Sequence, residues 1–256
     1  MEPALKAVVA SIGSTHPWNI AGLGLDILVA RELGVRSLSV TTGVTAQDES
    51  GLHARCAVPA DIVRAQLEAL PIDDLGALRI GAIPSVDAVS VVARFMRANA
   101  HIPAVVDPVY GASLEGMLTD ESAYGEFLKS ILPLPVVLTP NVPEAARLLN
   151  VSIEDCDSML AAARAVQRLG PRAVLLKGGH LHGELCDVLV TGSQTKIFRE
   201  TRLRQGMRGT GCVLAAALAC RLALGSELTA AVAYARTYVR KKIAAQIPLA
   251  SLRVAF

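Results

Sequence analysis

The sequence has 256 residues, 52% of them hydrophobic and 19% charged, with a formal net charge of +2. That length suits one large α/β domain, and the near balance of charge argues against nucleic acid or an acidic membrane surface as partner. Mean hydropathy is positive (+0.43), yet no apolar run reaches the roughly 18 residues of a membrane span; the longest, Gly211 to Cys220, is stopped by Arg221.

In chain order, Ala4–Ala10 reads as a buried strand that ends in a loop at Ser11-Ile12-Gly13-Ser14. Leu23 to Leu33 has helical apolar spacing, closed by Gly34. Strands at 37–42 and 55–58 follow, and Pro59 opens a helix over 60–70 from its favoured first-turn position. Strands at 78–81, 104–107, 136–139 and 173–177 alternate with helices at 85–98, 119–131, 143–149 and 154–169. A hairpin of 185–191 and 196–203 turns at Gly192-Ser193. Two helices close the chain, 211–224 and 227–246, the second capped by Ser226 after Gly225. Strands that are apolar on both faces and alternate with helices predict a mostly parallel sheet covered on both sides. No Pro/Gly/Ser-rich linker divides residues 1–256, so one domain is expected.

The N-terminus lacks the basic, apolar and cleavage regions of a signal peptide. The five cysteines, at 56, 156, 186, 212 and 220, are odd in number and scattered, with no Cys-x-x-Cys pair. Both features predict a cytoplasmic protein with free thiols and neither a disulfide frame nor a zinc site.

Ligands of such sheets collect at the C-terminal ends of the strands, and four stretches fall there. Asp107-Pro108-Val109 follows one strand, Asn141 to Glu144 a second, and Lys177-Gly178-Gly179-His180 a third. The fourth is Gly209-Thr210-Gly211-Cys212, a flexible turn feeding an Ala/Leu-rich helix. Unpaired N–H groups and the positive helix end suit an anion there, and the same field would lower the Cys212 thiol pKa. Asp107 and Glu144 offer hard oxygen ligands for magnesium, and Lys177 can neutralise a transferring phosphate. Each has a structural alternative. Asp107-Pro108 could simply end a strand, Asn141 and Glu144 could form a capping box, and Lys177-Gly178-Gly179 could be a surface turn.

These stretches, with Ser39-Val40-Thr41-Thr42 and Thr45-Ala46-Gln47, resemble the ribokinase superfamily, and within it the hydroxymethylpyrimidine/phosphomethylpyrimidine kinases of thiamine biosynthesis. The motifs that carry the resemblance are Asp107-Pro108-Val109, Thr139-Pro140-Asn141-Val142-Pro143-Glu144-Ala145, Lys177-Gly178-Gly179-His180-Leu181 and Gly209-Thr210-Gly211-Cys212. It implies a ribokinase-like three-layer αβα fold, a homodimer, and transfer from ATP with Mg2+ to a hydroxymethyl group on a small heteroaromatic ring. By the same resemblance Gln47, Gly13, Val44 and Val109 would line the pyrimidine site. Asp107, Asn141 and Glu144 would organise magnesium and the phosphates, and Lys177 would contact ATP. The backbone of Gly209, Thr210, Gly211 and Cys212 would form the anion hole, with Cys212 activating or orienting the hydroxyl.

The first loop departs from the family pattern. Where the family carries Ser-Asp-Pro-Ser-Gly-Gly-Ala-Gly, this chain has Ser14-Thr15-His16-Pro17-Trp18-Asn19-Ile20-Ala21-Gly22. Trp18 could stack on a ring or plug the loop, and His16 could contact substrate but reads first as an exposed loop histidine. Arg208 stands where His is common and could add a forked phosphate contact. Tyr110-Gly111-Ala112-Ser113 replaces a Met and a downstream Lys. These departures leave open a kinase for pyridoxal, pyridoxine or another hydroxymethyl heterocycle, or a relative that binds without catalysis.

Overall fold

The structure, a computed structural model, describes residues 7–111, 116–179, 181, 185–192, 194–203 and 206–256. The readings made at Ala4 to Lys6, Ala112, Ser113, His180 and Ser193 therefore lie outside the described residues.

Nine strands form one sheet in the order β3-β2-β1-β4-β5-β6-β7-β8-β9. Its parallel centre is β1 (Val8–Thr15), β2 (Arg36–Gln47), β4 (Leu75–Ile80), β5 (Ala104–Val106), β6 (Val137–Leu138) and β7 (Ala173–Lys177). Antiparallel strands finish both edges, β3 (Leu52–Ala57) on one side and the hairpin β8 (Leu185–Thr191) and β9 (Gln194–Glu200) on the other. Helices cover both faces. One apolar cluster packs α2 (Ala60–Glu68), α3 (Val86–Ala98), α4 (Glu121–Ser130), α5 (Val142–Leu149) and α6 (Cys156–Gln167) on the sheet. The other packs α1 (Gly22–Glu32), α7 (Thr210–Ala223) and α8 (Leu228–Ala244) on the opposite face. This is the three-layer architecture that the alternating pattern implies. Among the described residues no helix is long and apolar enough to cross a membrane.

The alanines of α7 explain its position. Val213 to Cys220 are all buried, and a Cβ on Gly76 of β4 would lie 2.9 Å from the Ala223 Cα. Small side chains on both partners let the helix backbone approach the sheet closely, which fixes its N-terminus over the strand ends.

Several boundaries differ from the sequence reading. Residues 11–15 continue β1 as strand rather than loop, because Ser11 to Thr15 keep pairing with Ser39 to Val44 of β2. Pro59 is the N-cap of α2, not its first helical residue. Helix α8 is capped by Glu227 rather than Ser226; the Glu227 carboxylate accepts from the N–H groups of Thr229 and Ala230. A terminal hairpin, β10 (Ile247–Leu249) and β11 (Leu252–Val254), extends beyond the last expected helix. Free thiols hold for Cys56, Cys212 and Cys220, but Cys156 and Cys186 are joined in a disulfide. Packing of α6 across β8 brings their Cα atoms to 6.2 Å, a proximity that spacing along the chain does not reveal.

Candidate active site

The parallel strands end on one rim, and α7 starts there. Gly209, its N-cap, sits at φ +77°, and a Cβ on it would meet the Ile20 carbonyl oxygen at 2.1 Å. Only glycine satisfies both conditions. The first N–H groups of α7, at Thr210, Gly211 and Cys212, have no carbonyl within the helix and make its N-terminus receptive to an anion.

Asp107, Lys177 and Thr139 meet against that turn. Lys177 Nζ lies 2.8 Å from Asp107 Oδ1, and Thr139 Oγ1 donates to the same oxygen at 3.2 Å. A Cβ on Gly211 would come within 3.3 Å of Lys177 Nζ and 3.5 Å of Asp107 Oδ2, so the pair sits directly on the turn. Burial pushes the Asp107 carboxyl up, but Lys177 and Arg79 outweigh it and hold the pKa below the usual carboxylate range. Asn141 and Glu144 form the capping box of α5: Glu144 N donates to Asn141 Oδ1 at 2.8 Å, and Asn141 N to Glu144 Oε2 at 2.7 Å. Burial lifts the Glu144 pKa to about 7, against the pull of Lys177.

The sequence reading missed Arg79 and Asp26. Arg79, on β4, is 1% exposed; its Nε lies 3.3 Å from Asp26 Oδ2 of α1, and Nη2 lies 3.9 Å from Asp107 Oδ2. A Cβ on Gly81 would fall 1.9 Å from Arg79 Nη1, so that glycine makes room for the guanidinium. Arg79 also places a fixed positive charge beside the Cys212 thiol. A lone arginine in the apolar run Leu75-Gly76-Ala77-Leu78-Arg79-Ile80 was the available signal.

Cys212 is half-buried on the first turn of α7. Its pKa is raised, contrary to the lowering expected from the helix end. Burial dominates, while Arg79 and a hydrogen bond from the Gly22 backbone only partly oppose it.

The residues read as a substrate pocket lie on the β1–β2 side. Gln47, at the end of β2, is buried and donates from Nε2 to Thr45 Oγ1 at 2.8 Å; that hydroxyl donates to the Thr15 carbonyl at 2.6 Å. Gly13 lies in β1 against Gly81, and Val44 of β2 is half exposed. Val109 follows β5 and receives a hydrogen bond at its carbonyl from Thr119. Tyr110 lies under the Arg147 guanidinium, 3.7 Å from ring centroid to Cζ, with its hydroxyl on Glu121 at 2.6 Å.

His16 is not exposed. It is 3% accessible, its Nδ1 accepts from Trp18 N at 3.1 Å, and burial with the nearby Arg208 charge lowers its pKa to about 4. Trp18 itself is half-buried. Arg208 is held beside the turn by its own N–H, which donates to the Arg253 carbonyl of β11 at 2.9 Å.

A parallel sheet that gathers a lysine, an aspartate and a glycine-capped helix N-terminus on one rim defines a ribokinase-like phosphotransferase. Comparison with known proteins agrees. Residues 18–254 match the phosphomethylpyrimidine kinase family model. A hydroxymethylpyrimidine/phosphomethylpyrimidine kinase of Streptomyces coelicolor is 38% identical over 251 residues, covering 96% of this chain and 92% of that protein. The crystal structure of a phosphomethylpyrimidine kinase from Clostridium difficile superposes with a TM-score of 0.82 at 30% identity, over 92% of this chain and 99% of that one. A Bacillus subtilis pyridoxal kinase, solved as an ADP complex, gives 0.88 at 25% identity over 97% and 96%. The chain belongs to the phosphomethylpyrimidine kinase family.

Proposed function

We propose that this kinase transfers the γ-phosphoryl group of ATP to 4-amino-5-hydroxymethyl-2-methylpyrimidine and to its monophosphate, in thiamine biosynthesis. The observation that carries the reading is the Lys177–Asp107 pair set directly against the N-terminus of α7. Those helix N–H groups receive the transferring phosphoryl, and Lys177 offsets its charge while Asp107 and Thr139 hold the lysine in place. The substrate oxygen attacks Pγ, the bond from Pγ to the β–γ bridging oxygen breaks, and its electron pair leaves on ADP; where the acceptor is a hydroxyl, its proton passes late to a phosphoryl oxygen and from there to solvent. In a loose transition state little depends on a strong base. Because burial keeps the Cys212 thiol protonated, we assign Cys212 to orienting the hydroxyl through a hydrogen bond rather than to removing its proton. Gln47, Gly13, Val44 and Val109 form the pyrimidine side.

Magnesium fits the donors present, but only as an ion carried by the nucleotide. Among the described residues no group of three His, Cys, Asp or Glu side chains could hold a metal. Asp107 and Glu144 are separate hard-oxygen groups, suited to bind through water an ion that already sits on phosphate oxygens. When bound, the ion draws negative charge from those oxygens. Asn141 would complete the phosphate contacts. The reading includes one domain, a cytoplasmic location and a homodimer, and light scattering showing a monomer at working concentration would remove the last.

The test is ADP release with magnesium-ATP against hydroxymethylpyrimidine, its monophosphate, pyridoxal, pyridoxine and ribose. Preference for the pyrimidines is expected. Preference for a pyridoxal ring would mean the altered 14–22 loop has redirected the acceptor, and silence with intact ATP binding would indicate a non-catalytic binder.

A further inference from the structure

The loop that departs from the family pattern and the residue before the α7 turn each carry a donor without an acceptor. His16 Nδ1 accepts from Trp18 N–H, so the proton of the neutral ring sits on Nε2, and that buried atom has no hydrogen-bond partner. Arg208 Nη1 is likewise buried and unpartnered. Buried donors without acceptors are rare in native proteins and mark the place of a missing oxygen-rich group. The two residues flank the N-terminus of α7: Arg208 immediately precedes Gly209, and the loop from His16 packs its Ile20 carbonyl on Gly209. Both interact electrostatically. Two side-chain donors and a helix N-terminus share one locality and one polarity, and an oxyanion answers all three.

The sheet order indicates which oxyanion. Asp107 and Asn141 follow β5 and β6, and Lys177 ends β7, on one side of β4. His16 follows β1 on the other side, joined to Gln47 through Thr15 and Thr45. An anion held at His16 therefore belongs to the acceptor, not to the nucleotide. We infer that His16 and Arg208 form a subsite for the phosphate of a phosphorylated acceptor, and so favour the monophosphate over the free hydroxymethyl compound. This rests on the kinase reading above and adds the residues that select between its two acceptors.

The chemistry balances without a further group. A non-bridging oxygen of the acceptor phosphate attacks Pγ, a P–O–P link forms, the Pγ–O bond to the β-phosphate breaks, and ADP leaves with the electron pair. A dianionic acceptor has no proton to lose, so the protonated Cys212 is no obstacle to this step. Both donor atoms are buried in this state. Trp18, the single tryptophan of the chain, is hydrogen-bonded through its backbone N–H to His16 Nδ1 and so reports a change at the subsite.

The experiment compares wild type with His16→Asn, whose side-chain oxygen can still accept from Trp18 N–H, and with Arg208→Lys and Arg208→Met. With saturating magnesium-ATP, kcat/KM for the monophosphate is expected to fall about 10- to 100-fold in His16→Asn and Arg208→Met, as loss of a hydrogen bond to a charged group implies. The value for hydroxymethylpyrimidine should change less than about threefold, and Arg208→Lys should lie between. Tryptophan fluorescence should respond to the monophosphate in wild type and require roughly tenfold more ligand in His16→Asn. Equal losses with both acceptors, or a raised KM for ATP, would overturn the inference, as would wild type using the hydroxymethyl form alone. If wild type turned over neither acceptor, the kinase reading would fall. The fluorescence titration, with the monophosphate and with inorganic phosphate, would still decide the subsite, since equal binding by wild type and His16→Asn removes it.

Discussion

At Cys212 two influences compete, and burial wins. A thiol at a helix N-terminus beside a guanidinium would ordinarily ionise easily, yet this one is raised above its usual range. Cys212→Ala should therefore lower kcat by about 10- to 100-fold through lost orientation, less than loss of a full acid–base catalyst would cause. ATP affinity should stay nearly intact because the anion site is main chain. Unchanged turnover would reduce Cys212 to a packing residue. Arg79 and Asp26 are both 1% exposed, so neither can lose its partner without leaving a buried charge. Arg79→Met should lose about 3–5 kcal/mol in urea denaturation, and pairing it with Asp26→Leu should recover much of that; equal instability of the double variant would refute the coupling. His16 gives a pH signature. Its folded pKa of about 4 lies below the value of 6.5 for a free histidine, so the unfolded chain binds the proton more readily. Stability from this source is present above pH 6.5 and is lost as pH falls towards 4. Between pH 7 and 5 wild type should lose up to about 2 kcal/mol more than His16→Asn, a difference readable by denaturant melts at the two pH values.

Among the elements, α7 governs the proposed site, since its first turn would supply the anion donors and carries Cys212. Gly209→Ala would place a methyl on the Ile20 carbonyl at a left-handed φ, and should cost at least about 2 kcal/mol and most activity. A thermal melt and an ADP-release assay would show it, and a variant as stable and active as wild type would mean the loop simply moves aside. The alternation of elements and the four stretches at strand ends were legible from apolar runs and Gly/Pro punctuation. What stayed hidden depends on contacts between distant parts of the chain. Residues 11–15 look like loop until β2 is beside them to pair. The strands of the β10–β11 hairpin are only three residues each, with a proline in the first, too short to stand out, yet the hairpin holds Arg208 through Arg253, and Ser251 N donates to Glu49 next to β2. Arg79 was visible as an anomaly, but its meaning required Asp26, 53 positions away, to reach it. His16 looked exposed because loop polarity says nothing of what packs above it.

Across the molecule, two apolar layers hold the sheet, and the Cys156–Cys186 link ties α6 to β8 within one of them. The link closes a loop of 30 residues, for which chain entropy gives about 3.6 kcal/mol. Reductant should lower the melting temperature of wild type and leave Cys156→Ser unaffected; equal sensitivity of both would exclude the bond as the cause. Because β8 continues from Cys186 into Asp187, whose carboxylate accepts from Gly178 N at 2.9 Å and from Arg236 Nε at 2.7 Å, that bond also lies close to the turn after Lys177. The sheet order carries a broader consequence. The residues proposed to meet the acceptor, apart from Val109, Arg208 and Cys212, come from the first 47 residues, whereas Asp107, Asn141, Lys177 and the α7 turn come from later in the chain. Most of the proposed acceptor contacts and the proposed phosphate-donor contacts are thus written in separable stretches of the gene. A single crossover between codons 60 and 75 would exchange the 14–47 part of the acceptor side as a unit while leaving Val109, Arg208, Cys212 and the phosphate-handling half unaltered.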